Sequence, residues 1–263
     1  MKDKVIVLTG ASSGIGRATA LALAREGAVL HLLARRADLL DRVCDDARAL
    51  GGHATAHVVD VRDAHAFGQV AVRIHDEHDG VDVLINNAGV GAMKTFLETT
   101  DDDWQWTFDT NLHAVITGIR LFLPRMLERK SGMVMNIASL AALMANSLTA
   151  YSASKFAVLG LTESLVLEYG GRGVDFVVVC PGIINTEITT AGILAGRSSA
   201  TLESKMLDLV AKFGASPDLV ARDIVQAIRR PRFLVLSPTH ASVLHAFHSK
   251  FPGLTRSVLR RLA

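Results

Sequence analysis

Tyr151 and Lys155 stand four residues apart in Tyr151-Ser152-Ala153-Ser154-Lys155, and on a helix that spacing puts both on one face. A free tyrosine has a pKa near ~10, poorly suited to proton transfer at neutral pH. A nearby ammonium favours the phenolate and lowers that value, so the pair makes chemical sense as a tuned acid and base. Ser139 lies twelve positions before Tyr151, far enough for a loop to bring both hydroxyls to one substrate oxygen. Asn111 lies further upstream, in Asp109-Thr110-Asn111. Taken singly, each has a plainer reading: a surface Tyr/Lys pair, a turn serine, a locally bonded asparagine.

A second group could hold phosphates. Thr9-Gly10-Ala11-Ser12-Ser13-Gly14-Ile15-Gly16 follows an apolar run, Val5-Ile6-Val7-Leu8, and opens a segment of helical periodicity. Gly10 permits a tight turn, Gly14 lets backbone approach a pyrophosphate, and Gly16 lets the helix pack closely on the sheet. The helix then points its free amides and positive end at the phosphates, which makes Gly10, Ser12, Ser13, Gly14, Ile15 and Gly16 the candidate cradle. The next apolar run ends at Ala34, where an NAD enzyme usually places an acid for the ribose hydroxyls. Here Arg35 and Arg36 follow instead, and guanidinium groups suit a 2′-phosphate. The cofactor expected is NADP(H); the plainer reading is two solvated loop charges, with Asp38 and Asp41 as partners.

These groups need a frame. Short runs rich in Val, Ile and Leu alternate with longer amphipathic ones. Strands are predicted at 4–9, 28–34, 53–59, 81–86, 132–138, 174–180 and 233–236. Helices are predicted at 14–27, 38–50, 63–78, 101–129, 151–169 and 218–229. Continuously apolar strands between helices imply a sheet buried on both faces, and right-handed crossovers make it parallel and doubly wound. The expectation is one α/β Rossmann-like domain over 1–238, with about seven strands flanked by helices. A mixed insert at 185–217 reads as a binding loop at the carboxyl end of a strand.

The T-G-x-x-x-G-x-G turn, followed in order by Asn111, Ser139, Tyr151 and Lys155, resembles the short-chain dehydrogenase/reductase family. The likeness covers residues 4–236. It implies hydride transfer between NADP(H) and a carbonyl/alcohol pair, with Tyr151 as proton donor or acceptor. Ser139 orients the substrate oxygen, Lys155 holds the ribose, and Asn111 holds a water that relays protons from Lys155. Asn86-Asn87-Ala88-Gly89 resembles the family's N-N-A-G motif, which places Asn87, Ala88 and Gly89 beside the cofactor and leaves Asn86 structural. Asp60 and Val61 resemble its adenine contacts, although Asp60 or Asp63 also reads as a helix N-cap. Pro181, Gly182, Ile184 and Thr186 resemble the loop that cradles the nicotinamide. Family members often pair through the helices carrying Asn111 and Tyr151, so a homodimer or homotetramer is expected. A regulatory protein on this fold should have lost part of the Ser, Tyr, Lys group, and epimerases or dehydratases on it usually carry a larger substrate domain.

Composition sets the outer bounds. The chain has 263 residues, 49% hydrophobic and 21% charged, with a net charge of +2, too balanced for nucleic acid as the main partner. Two cysteines, Cys44 and Cys180, fit neither a disulfide framework nor a metal cluster, and no metal site is expected. No apolar run approaches a membrane span, so the expected setting is the cytoplasm. Val90, Met93, Leu140, Leu143, Met144 and the run Ile188–Leu194 suggest an apolar substrate wall, or else ordinary core. The segment 239–263 is a basic amphipathic extension. It has three readings: packing on the core or a second subunit, contact with an anionic membrane surface, or a frayed end.

Overall fold

In the computed structural model, the apolar runs become seven strands: β1 Val5–Thr9, β2 Val29–Ala34, β3 His53–Val58, β4 Val83–Asn86, β5 Gly132–Ile137, β6 Val174–Pro181 and β7 Leu234–Ser237. They form one parallel sheet in the order β3-β2-β1-β4-β5-β6-β7. The structure describes all residues except 187, 189–196, 199 and 263, and gives the backbone alone at 200, 201, 203, 205, 206, 239, 240, 259, 261 and 262. Helices α1 Gly14–Ala24, α2 Ala37–Ala49, α3 Ala64–Glu77, α4 Asp101–Phe108, α5 Ala114–Arg129 and α6 Thr149–Tyr169 connect the strands. Beyond β6 come α7 Ala200–Phe213 and α8 Pro217–Arg229, and beyond β7 come α9 Thr239–Lys250 and α10 Pro252–Leu262.

The apolar strands are continuous because both faces are covered. Successive side chains point to opposite sides. Ile6, Leu8, Leu30, Leu32, Ile85 and Val179 pack with α1, α2 and α8, while Val5, Val7, Leu33, Leu84 and Val178 pack with α3, α5 and α6. Fully burying each such side chain contributes roughly 1.5–3 kcal/mol. The chain order reverses between β1 and β4, which opens a crevice at the carboxyl ends of the central strands.

Three expectations change in detail. The predicted helix over 101–129 is two α-helices joined by a π-helical turn at Asp109–His113, with Asn111 at its centre. Such turns are rare and often mark functional sites, and composition alone gives no sign of them. The insert contains α7, whose Leu202 is buried while Leu207, Leu209 and Phe213 are exposed. That scatter blurs the helical period, so the segment reads as a loop. The extension is helical rather than frayed, and its Ala241 packs with Leu140 and Met144. Among the described residues, no helix is long and apolar enough to cross a membrane.

Candidate active site

The crevice is a cavity of about 750 Å3, within the usual size of small-molecule sites. The glycine turn forms its floor. Gly10 has φ +66°, and a Cβ there would lie 2.8 Å from Ala88 Cα. A Cβ on Gly16 would lie 2.2 Å from the Gly10 carbonyl oxygen, and Gly14, with φ +53°, faces Thr186. The turn is tied to the end of β4. Asn87 Nδ2 donates to the carbonyls of Thr9 and Gly10 (2.9 and 3.2 Å), and Thr9 Oγ1 accepts from the amides of Asn87 and Ala88 at 3.0 Å each. Sequence reasoning missed Thr9; its place just before Gly10 was the available signal. Asn86 turns inward and donates to Asn136 Oδ1 at 2.9 Å, which matches its structural reading.

At the adenosine end, Arg36 Nη2 donates to Ser13 Oγ at 2.7 Å and to Ser12 Oγ at 3.3 Å. Arg35 approaches Asp60 at 4.0 Å. Neither arginine pairs with Asp38 or Asp41 in a described ion pair. Asp60 accepts from Arg62 through its amide and guanidinium (2.6–3.1 Å). Desolvation works against that carboxylate, but the Arg62 bonds prevail and hold its pKa below the ordinary value. The N-cap of α3 is Asp63, which accepts from the Ala66 amide, so that reading of Asp60 is set aside. Arg62, two residues along, is a further group missed in the sequence.

Ser139, Tyr151 and Lys155 line the opposite end of the same cavity, with Pro181, Gly182, Ile184 and Thr186. Ser139 stands at the end of β5, and its Oγ accepts from the Ala141 amide at 3.1 Å. Lys155, 3% exposed, donates from Nζ to the Ile137 carbonyl at 3.0 Å. Its ammonium lies 5.7 Å from the centre of the Tyr151 ring. Burial depresses Lys155 to about 8. Burial also raises Tyr151, against a smaller lowering from the Ser139 hydroxyl. The lowered tyrosine expected from Lys155 is therefore absent in the protein alone: desolvation of the phenolate outweighs the hydrogen bond from Ser139.

Asn111, expected in a proton relay, stands at the centre of the π-helical turn. It is fully buried and outside the cavity lining. Its Oδ1 accepts from the Val90 amide (2.8 Å), and its Nδ2 donates to the Val90 carbonyl and Ser154 Oγ (2.9 Å each). The side chain thus pins the β4 loop to α6, the helix bearing Tyr151 and Lys155.

Of the expected substrate wall, Val90 and Ile188 line the cavity, whereas residues 189–194 lie outside the described residues. Met93 packs with Leu148, Leu202 and Tyr151, and Leu140, Leu143 and Met144 pack with Ala241. The insert is held at both ends. Across its base, Asn185 N donates to the Ala215 carbonyl at 2.9 Å and Ala215 N to the Ile183 carbonyl at 3.0 Å, and Met93 N donates to the Arg197 carbonyl at 2.8 Å. Arg197 and Lys94 both reach the buried carboxylate of Asp103, which also closes a capping box with Thr100. These contacts hold the Asp103 pKa well below the ordinary range, despite the burial that opposes them. Cys44 and Cys180 are free thiols, pushed up by burial to about 11 and about 12.

Known proteins carry the same pattern. The short chain dehydrogenase family matches residues 4–193. The probable oxidoreductase EphD of Mycobacterium tuberculosis is 34% identical over 98% of this chain. The chain spans 45% of that relative's length. The 3-oxoacyl-[acyl-carrier-protein] reductase FabG of Thermotoga maritima is 32% identical, over 72% of this chain and 77% of its own. Among solved structures, a short-chain dehydrogenase/reductase from Burkholderia phymatum in complex with NAD superimposes with TM-score 0.88 at 30% identity, covering 97% of this chain and 95% of its own. An alcohol dehydrogenase from Thermococcus sibiricus complexed with 5-hydroxy-NADP gives TM-score 0.76 at 26% identity, covering 89% and 95%. A family match over most of the chain and a shared sheet with its crevice lead to one conclusion: this chain belongs to the short-chain dehydrogenase/reductase family of oxidoreductases.

Proposed function

We propose that the chain interconverts a carbonyl and a secondary alcohol with NADP(H), using Tyr151 as general acid and base. The observation that carries this reading is the placement of Ser139, Tyr151 and Lys155 at one end of a cavity whose other end is the glycine turn with Arg35 and Arg36. A dinucleotide fits the cradle: side chains at Gly10 and Gly16 would collide with backbone, and the turn's serines already face a guanidinium. Ser12, Ser13, Ile15, Asp60, Val61, Asn87, Ala88 and Gly89 would hold its phosphate and adenosine end. Lys155, Ile184 and Thr186 would hold its nicotinamide end. When bound, the nicotinamide supplies or takes the hydride.

In the reducing direction, Tyr151 gives its proton to the carbonyl oxygen. A raised tyrosine pKa in the protein alone keeps the phenol protonated at neutral pH, as a general acid requires. Ser139 donates a hydrogen bond to the same oxygen as charge develops on it. Lys155, when charged, favours the phenolate left behind. Asn111 contributes by fixing the spacing of the β4 loop and α6. Val90, Ile188 and the Met93 and Leu140 clusters suit a lipophilic substrate. Arg35 and Arg36, with Ala34 in place of an acid, favour the 2′-phosphate of NADP(H). Exposed Phe156 and Leu167 on α6 suit a subunit contact on that helix in a homodimer or homotetramer.

The test is paired titration with NADPH and NADH, then loss of NADPH absorbance across a panel of lipophilic ketones and aldehydes, wild type beside Tyr151→Phe. Turnover that depends on Tyr151, with tighter NADPH than NADH, is the expected result. Cofactor binding with no turnover of any carbonyl or alcohol would reject the catalytic reading, and a preference for NADH would reject the role of Arg35 and Arg36.

A further inference from the structure

Three imidazoles meet away from the cleft. His31 is the third residue of β2, and strand alternation puts it on the face covered by α3, the same side as Leu33. It is 1% exposed. His31 Nδ1 lies 2.9 Å from His57 Nε2 on β3, and His31 Nε2 lies 2.9 Å from His78 Nε2, just past the end of α3. Glu77, the last residue of α3, brings Oε2 to 4.0 Å from His78 Nε2. One ligand atom each from His31, Glu77 and His78 falls within 4.8 Å of the others.

We propose that His31, Glu77 and His78 form a divalent transition-metal site of the Zn2+ class, with His57 as the positioning residue for His31. Two imidazoles and one carboxylate are a Zn2+ ligand set that leaves a fourth position for water. Nitrogen donors disfavour Mg2+ and Ca2+, which take oxygen ligands. The chemistry of His31 suits the role. A ligating histidine generally donates its other ring N–H to a nearby acceptor, which fixes its tautomer. In the Nδ1–H tautomer, His31 would donate to His57 Nε2 at 2.9 Å, and the lone pair on its Nε2 would then face His78. The rings need little movement. Zn–N bonds of about 2.0–2.1 Å in a tetrahedral site hold two nitrogens about 3.3 Å apart, so the pair must part by about 0.4 Å.

A hydrogen-bonded imidazole chain accounts for the 2.9 Å contacts by itself. It does not use the Glu77 carboxylate, which closes the open side of the cluster. That side is accessible: Glu77 is exposed and His78 partly so, which gives an ion a route in while His31 stays anchored in the core. The site would fasten the carboxyl end of α3 to β2. The amino end of α3 follows Asp60 and Val61 in the cavity lining, and α3 spans about 21 Å at 1.5 Å per residue. The ion is thus remote from the reacting groups, and its expected role is to hold the helix and the sheet edge together.

The experiment is calorimetric titration of the chelator-stripped full chain with ZnCl2, paired with thermal melts. Wild type is compared with His78→Ala, Glu77→Gln and a control carrying His245→Ala and His248→Ala in the extension. Saturable binding at a single site is expected in wild type and in the control, with Tm raised by about 5 °C at a hundredfold excess over Kd. His78→Ala should lose both the heat and the shift, and Glu77→Gln should weaken them. His31 is too buried for its removal to be informative, so the two outer residues carry the test. Wild type without saturable binding, or His78→Ala binding as tightly as wild type, would overturn the assignment and leave an imidazole chain.

Discussion

The two ends of the cleft are built differently. The cofactor end is made of strand ends that the parallel register sets side by side, joined by short bonds among neighbours: Thr9 to Asn87 and Ala88, Asn87 to Gly10, Arg36 to Ser13. The substrate end is assembled instead from loops, the insert and the extension. Met93 meets Leu148 and Leu202, Leu140 meets Ala241, and Arg197 meets Asp103. The first end offers a rigid backbone cradle suited to a ligand of fixed shape. The second can change its lining without disturbing the sheet, because it borrows from an insert and from the extension.

The largest effect expected belongs to the chemical group between the two ends. Tyr151→Phe should lower kcat by about 10²–10⁴-fold with NADPH affinity kept, read by steady-state turnover beside a cofactor titration. If affinity falls as far as turnover, Tyr151 serves the cofactor end rather than the reaction. Gly16→Ala strikes the rigid end. Its Cβ would press on the Gly10 carbonyl at 2.2 Å, so a loss of about 1–3 kcal/mol in stability should accompany loss of cofactor binding. A variant that melts like wild type and binds NADPH normally would show that the turn yields more easily than its geometry indicates.

Arg36→Ala should cost about 1.5–3 kcal/mol of NADPH binding, the range for a bond to a charged group, or about 10–100-fold in Kd, and leave NADH nearly unchanged. Equal losses for both cofactors would make Arg36 a brace for Ser12 and Ser13 instead. At the substrate end, Asp103→Asn should raise KM several-fold and leave NADPH affinity alone, since it loosens Lys94 and Arg197 but touches no part of the glycine turn. Its pH dependence has a defined sign. The Asp103 carboxyl is depressed when folded, so its contribution is complete above the unfolded value near ~4 and fades as pH falls below it. The gap in Tm between wild type and variant should therefore narrow in acid.

The smallest effect concerns Lys155 in the protein alone. Its folded pKa of about 8 lies below the ordinary lysine value of 10.5, so the folded chain binds fewer protons between those values. The contribution of this one group to stability must then rise with pH across that window, while the raised Cys44 and Cys180 thiols act in the opposite sense in its upper part. Melts of wild type and Lys155→Met from about pH 7 to about pH 10.5 should therefore show wild type gaining Tm relative to the variant as pH rises. Parallel curves would mean that Lys155 keeps its charge while buried.

The glycine turn of the cofactor end was legible in the sequence because its requirements are local. Gly10, Gly14 and Gly16 lie within one turn, and each requirement falls on a residue type, the absence of a Cβ. Tyr151 and Lys155 were legible because helix geometry converts a spacing of four into a shared face. Asp60 was ambiguous until Asp63 was seen to cap α3. The direction of the Tyr151 shift was not legible, since charge proximity reads from spacing whereas desolvation depends on everything that surrounds the ring. The π-helical turn at Asn111 was hidden for a similar reason: its bonds to Val90 and Ser154 come from other elements.

The sequence by itself determined the alternation of strands and helices, the glycine turn and the order of the polar groups along the chain, because each rests on backbone preference or on contacts within a few residues. The tertiary structure alone decided which distant side chains meet. His31, His57 and His78 are separated by 26 and 47 positions from the first, yet strand register and the end of α3 set their nitrogens within hydrogen-bond reach. Lys94, Asp103 and Arg197 converge in the same way. Periodicity tells which face a residue takes, but not which residue of another element will stand opposite it. That is settled when whole helices dock on the sheet, where burial and close fit outweigh any local preference.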